Sequence, residues 1–77
     1  MTHELKITPI HFNYLILGAK TFEVRKNDRN YQVGDKLLLK EWNFTHYTGR
    51  EVEVEVTHIL NDPDYCKKGF VIMSIKL

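Results

Sequence analysis

The stretch REVEVEVTHIL at residues 50–60 has the strictest pattern in the chain, because valine and glutamate alternate there residue by residue. Successive side chains of a β-strand point to opposite faces of a sheet, so this alternation predicts a strand with one buried face. We expect Val52, Val54 and Val56 to face a core and the three intervening glutamates to face water. After Thr57 the phase of the alternation changes, which predicts a β-bulge or the end of the strand.

The rest of the chain predicts one helix and four more strands, in the order β-α-β-β-β-β. The strand after the Gly34-Asp35 turn carries leucines on both faces, which indicates a central position in the sheet. Its Leu37, Leu39 and Glu41 share one face. The other three strands are expected at HELKI (residues 3–7), TFEVRK (21–26) and FVIMSIKL (70–77).

A short helix is expected between the first two strands. Thr8 suits the N-cap of this helix, Pro9 suits its first turn, and Gly18 suits its end. The predicted apolar stripe is formed by Ile10, Tyr14 and Leu17, flanked by Phe12 and Ile16. Because a helix of about nine residues is not stable alone, this stripe is expected to pack on the sheet.

The length of the chain, 77 residues, predicts a single domain that spans residues 1–77. Five strands are too many for one flat, half-exposed sheet in so short a chain. Curling the strands into a barrel removes the exposed edges, and the helix then closes one end. The sequence therefore predicts a small α+β fold, a β-barrel of five strands with one helix after the first strand.

The charge balance restricts the class of partner. The chain has 11 Lys and Arg residues against 10 Asp and Glu residues, which gives a net charge of +1. A nucleic-acid-binding protein is usually strongly basic, so any basic face of this chain must be local. The glutamates of residues 50–60 would repel phosphate, so such a face is expected to lie away from them.

Cysteine usage and hydropathy indicate the compartment. Cys66 is the only cysteine, so no internal disulfide can form, and a reducing cytoplasm is expected. The N-terminal residues lack the pattern of a signal peptide, and no apolar run approaches the roughly 20 residues that span a bilayer, so no membrane association is expected. The four histidines lack metal-ligand spacing and the chain has a single cysteine, so no metal is expected, and no other cofactor is implied.

A cluster of charges follows the predicted helix, in GAKTFEVRKND at residues 18–28. One interpretation is a solvated strand face with a weak ion pair between Glu23 and Arg25. The other is a small polar site, in which Arg25 binds phosphate through its planar fork and Lys20 supplies a point charge. In that site Glu23 would accept hydrogen bonds from a base amine or a ribose.

Aromatic residues follow in the next strand and loop. An exposed ring of Trp42, Phe44 or Tyr47 could stack on a base. Lone aromatic residues in strands usually pack inside, so a core position is favoured over a stacking platform for Trp42. The candidate ligand-binding residues are Lys20, Thr21, Glu23, Arg25, Lys26 and Trp42.

The segment GAKTFEVR matches the G-x-K-x-x-E-x-R motif of ASCH domains, so the chain resembles this branch of the PUA-like group of small barrels, in particular its short bacterial and phage members. The preceding helix and the following VGDKLLLKEW extend the resemblance over nearly the whole chain. The resemblance implies a pseudo-barrel with a cleft beside the helix, lined by Lys20, Glu23 and Arg25. It also implies RNA or a modified nucleotide as the ligand.

One branch of that family hydrolyses acetylcytidine, using the motif lysine, a threonine three residues later and a glutamate on an inserted helix. Here Glu23 occupies the place of the threonine, and residues 50–77 leave no room for the insert. Binding of RNA or a nucleotide is therefore the favoured function. One alternative is a small amidohydrolase acting on a modified nucleoside, with Lys20 and Glu23 as proton-transfer groups. Another is a protein-interaction module that uses an exposed strand edge.

Overall fold

The computed structural model of the protein covers residues 1–77 and contains five strands and one helix, in the predicted order. The elements are β1 (Thr2–Ile7), α1 (Pro9–Ile16), β2 (Phe22–Lys26), β3 (Lys36–Trp42), β4 (Tyr47–Leu60) and β5 (Phe70–Lys76). No helix of the structure combines the length and the apolar character that a membrane-crossing helix needs.

All five strands belong to one sheet with the order β1-β3-β4-β5-β2. Strand β1 runs parallel to β3, and the other neighbours are antiparallel. Strand β3 therefore lies between two partners, which confirms its predicted internal position. The sheet curls into a half-barrel, so the small α+β barrel-like fold expected from the sequence is present.

The half-barrel is not closed by a backbone ladder, because β1 and β2 remain the two edges of the sheet. Two arginine side chains, one from β2 and one from the loop that follows it, reach β1 instead. Arg25 Nη2 donates to the carbonyl oxygen of Lys6 at 2.8 Å, and Arg29 Nη1 donates to that of Glu4 at 3.2 Å. We call this line between β1 and the β2 side of the sheet the seam. Curling thus brings the two edges together without removing them.

Strand β4 has the phase that its alternation predicts. Val54 and Val56 are fully buried, and Val52 packs against the same core. The pairing with β5 shifts register between Val56 and His58, which confirms the predicted bulge. The strand begins earlier than expected, at Tyr47, because a compact turn pairs that residue with Trp42.

The helix buries a different side from the predicted one. Phe12 and Leu15 are its buried residues, whereas Ile10, Tyr14, Ile16 and Leu17 are exposed, so the predicted stripe is wrong except for the flanking Phe12. The reason is that α1 has only eight residues and packs on the sheet through little more than one turn. A pair of side chains at i and i+3 is sufficient for such a contact. The helix ends before Gly18, which has a φ of +77°, as predicted from the sequence.

Candidate functional site

A cleft opens between α1, the end of β1 and the edge strand β2. Its volume is about 550 Å³, within the range of small-molecule sites. We call it the helix cleft. Its lining residues are Lys6, Ile7, Thr8, His11, Tyr14, Ala19, Lys20, Phe22, Glu23, Val24 and Arg25.

The centre of the helix cleft is a buried carboxylate held by two cations. The Glu23 residue is only 3% exposed, and it pairs across the sheet with the buried Met73. One carboxylate oxygen accepts from Lys20 Nζ, and the other accepts from Arg25 Nε at 2.9 Å. The side chains of Lys20 and Arg25 are 13% and 22% exposed. The interpretation as a solvated strand face is therefore wrong for these three residues, which the structure brings together.

Arg25 is fixed by a second contact, because its Nη2 reaches the Lys6 carbonyl across the seam. A guanidinium that is held at both Nε and Nη2 has a defined plane. The Nη1 group of Arg25 donates no hydrogen bond to the protein. The seam arginines also occupy carbonyl oxygens at the free edge of β1. An added strand would have to displace them, which argues against the interaction-module alternative.

Aromatic and polar side chains of the helix, of its N-cap and of β2 complete the cleft. Tyr14 and Phe22 both line it with exposed rings, and Lys20 Nζ lies 5.4 Å from the centroid of the Phe22 ring. Thr8 and His11 also line it, and with Tyr14 they recur at three-residue spacing on one side of α1. Sequence reasoning missed these residues, although the three-residue spacing was a signal for a shared helix face.

The other candidate ligand residues lie outside the helix cleft. Thr21 is exposed and its carbonyl oxygen accepts from the Ile75 amide at 3.1 Å. Lys26 is exposed and is not part of the cleft lining. Trp42 is half-buried outside the core cluster, where its ring meets Tyr47 edge-on at 5.0 Å. The favoured core position of Trp42 is thus not found.

A second cleft of about 440 Å³ adjoins the first on the outer side of β1. We call it the outer cleft. The two clefts share Lys6 and Arg25, so they meet at the seam. The lining residues of the outer cleft are Glu4, Leu5, Lys6, Arg25, Arg29, Lys40 and Tyr47.

A second buried carboxylate, that of Glu41, has a structural role. It accepts from Arg50 Nε at 3.0 Å and from the Thr48 hydroxyl at 2.6 Å, and these hydrogen bonds lower the pKa of Glu41. The Arg50 guanidinium also lies 4.6 Å from the Phe12 ring, so it ties β4 to the helix. Glu41 and Arg50 line neither cleft. No three His, Cys, Asp or Glu side chains are close enough together to hold a metal ion.

Comparison with known proteins places this arrangement in a family. Residues 2–75 match the family described as "Domain of unknown function (DUF3850)". The chain is also 41% identical over 73 residues to the "Uncharacterized 12.9 kDa protein in GpA 3'region" of Escherichia phage P2, covering 95% of this chain and 67% of that protein. The match to the family extends over both edge strands and the whole half-barrel, so the chain belongs to the DUF3850 family.

Proposed function

We propose that the protein binds RNA or a nucleotide in the helix cleft, and that its half-barrel is a PUA-like fold of the ASCH type. The observation that carries the proposal is the group of Lys20, Glu23 and Arg25, held together beside the exposed rings of Tyr14 and Phe22. Cations recognise phosphate, and exposed rings stack on bases, so this combination suits a nucleotide. The motif GAKTFEVR, which supports the ASCH assignment, supplies four of these five residues, all except Tyr14.

The roles follow from the hydrogen-bonding capacity of each group. Arg25 has donors left over at Nη1, and Lys20 has two further ammonium protons, so both can donate to phosphate oxygens. Glu23 keeps both cations at the cleft and prevents them from turning into solvent. Each of its oxygens has a second lone pair, which can accept from a base amine or a ribose hydroxyl.

Fluorescence anisotropy with a labelled oligouridylate tests the proposal. Arg25→Ala should weaken binding by about tenfold or more, since it removes charge-assisted hydrogen bonds. Arg25→Lys should also weaken it, because an ammonium cannot reproduce the planar fork. With about three phosphates neutralised, the log–log salt slope of the wild type should be near −2.

Lys68→Ala provides the matched control, since this lysine is exposed in the β4–β5 loop and lines neither cleft. It should bind as the wild type does. Equal weakening by Lys68→Ala and Arg25→Ala would mean that binding depends on overall charge rather than on the helix cleft. Absence of binding for every RNA and nucleotide tested would refute the proposal.

The amidohydrolase is a second candidate, favoured by the direct contact between Lys20 and Glu23 in a cleft that His11 also lines. Such a pair could pass a proton during hydrolysis of an acylated nucleoside. Turnover of a panel of acylated nucleosides separates the two functions. In a hydrolase Glu23→Gln should lower the rate by about 100-fold or more. In a binding protein the amide still accepts a hydrogen bond, so a folded Glu23→Gln variant should keep much of its affinity.

A further inference from the structure

We infer that the ligand is a single-stranded oligonucleotide, which extends from the helix cleft across the seam into the outer cleft. There Arg29 and Lys40 hold its phosphates, and Tyr47 stacks on a base. This inference rests on the proposed function and adds a second subsite to it. None of the three outer residues belongs to the motif that suggested the helix cleft.

Continuity of the two clefts is the first argument. Lys6 and Arg25 line both of them, so a chain that leaves the helix cleft meets the same two cations on the outer side. The volumes are about 550 Å³ and about 440 Å³, and each lies within the range that accommodates a small ligand. A mononucleotide would fill only one of them.

Charge is the second argument. The outer cleft contains four cations, Lys6, Arg25, Arg29 and Lys40, against the single carboxylate of Glu4. That carboxylate lies 3.3 Å from Lys40 Nζ, and the Glu4 side chain is 65% exposed. An exposed ion pair of this kind is weak and easily exchanged for a phosphate contact. The outer cleft therefore has a net positive charge beside the seam.

The aromatic group at the outer end is the third argument. Tyr47 is about half exposed, and the edge-on Trp42 ring supports it. Lys40 Nζ lies 4.9 Å from the centroid of the Tyr47 ring, and Lys6 Nζ lies 4.1 Å from that of the Trp42 ring. A stacking ring flanked by cations is typical of proteins that bind single strands without strong sequence preference.

The acidic face of β4 limits the path of the ligand. Glu51 stands opposite Lys40 in the register of β3 and β4, and Glu53 and Glu55 continue the row along the same face. Carboxylates repel phosphate, so the nucleic acid cannot continue past Tyr47 onto the glutamate row of β4. The path therefore runs along the outer side of β1 and ends at Tyr47.

A length series of labelled oligouridylates with one, three and six nucleotides tests the inference by fluorescence anisotropy. The hexamer should bind the wild type about tenfold or more tighter than the mononucleotide does, because only the hexamer reaches both clefts. The double variant Arg29→Ala/Lys40→Ala should lose this gain while binding the mononucleotide like the wild type. The log–log salt slope of the double variant for the hexamer should be less negative than that of the wild type by about 1.4, since two phosphate contacts are lost.

Arg29→Gln/Lys40→Gln, which retains the side-chain length, should reproduce the result if the alanine variant folds poorly, and Lys68→Ala should behave like the wild type. A hexamer that binds no tighter than the mononucleotide would overturn the inference and leave the proposed function standing. If the double variant bound the hexamer as tightly as the wild type does, the inference would also be overturned, and the proposed function would also stand. A wild-type protein that binds none of the three lengths would overturn the inference and the proposed function together.

Discussion

Strands β2 and β4 both alternate charged and apolar residues, yet they bury opposite kinds of side chain. In β4 the valines face the core, with Val54 at 2% exposure, and the glutamates face outward. In β2 the charged Glu23 faces inward, whereas Phe22 and Val24 are 46% and 50% exposed.

The difference follows from the position of each strand. Strand β4 lies between β3 and β5 in the sheet, and its middle part covers the core, so its valines are turned inward there. Strand β2 is an edge strand beside the helix cleft, and two cations compensate the carboxylate that it buries. Burial of an ion is tolerated only where it is paired and hydrogen-bonded. Alternation alone therefore defines two faces, and the partners available to each face decide which one is buried.

The largest effect should come from removing the buried carboxylate of β2. Glu23→Ala leaves Lys20 and Arg25 side by side without their counter-charge, and we expect it to lower the free energy of unfolding by about 2 to 4 kcal/mol. Glu53→Ala is the matched change on the outward face of β4, and we expect a change within about 0.5 kcal/mol. Urea denaturation of both variants measures the difference.

If Glu23→Ala and Glu53→Ala both changed the free energy of unfolding only slightly, the comparison would be contradicted, because Glu23 would then be exposed to solvent. Glu23→Gln sharpens it further. The amide keeps the shape and one acceptor, so this variant isolates the loss of charge from the loss of packing.

The apolar side chains should show the reverse order with a smaller effect. Val54→Ala removes buried methyl groups from the core and should cost about 1 to 3 kcal/mol. Val24→Ala changes a side chain that is half in water, so its cost should be clearly smaller, near 0.5 kcal/mol. Thermal unfolding followed by circular dichroism measures both. Equal costs would show that β2 buries its apolar face in solution.

The sequence was sufficient to predict the elements whose signal is local. The order of helix and strands, the inward valines of β4 and the bulge after Thr57 all follow from patterns within a few residues. The buried side of the helix did not follow, because Phe12 lay only at the flank of the predicted stripe and Leu15 lay outside it. A helix that rests on one turn needs only that pair.

The same distinction between local and distant signals applies to the candidate site. The Lys20, Glu23 and Arg25 group could be predicted because it lies within six residues of sequence. The outer cleft could not, since it depends on β1 lying next to β3 and on an arginine that reaches back 25 residues to Glu4. Which face of β2 is buried also depends on distant partners, and no local pattern contains them.

The smallest effect concerns the ion pair on the outward face of β4. Lys36 Nζ donates to Glu55 at 2.8 Å, and this hydrogen bond lowers the pKa of Glu55 from its ordinary value of 4.5. Because the folded-state pKa is the lower one, the stabilising contribution is fully present above pH 4.5 and is lost as pH falls through the folded-state pKa.

Glu55→Gln should therefore lower Tm slightly at about pH 7, by no more than about 3 °C, because both side chains are more than one third exposed. The difference from the wild type should shrink as the pH is lowered to about 3, and it should also shrink in about 1 M salt at neutral pH, where exposed pairs are screened. Melting curves of both proteins across this range measure it. A Tm difference that persists in high salt would mean that this face of β4 is shielded from water, and the contrast between an inward ionic face in β2 and an outward one in β4 would no longer hold.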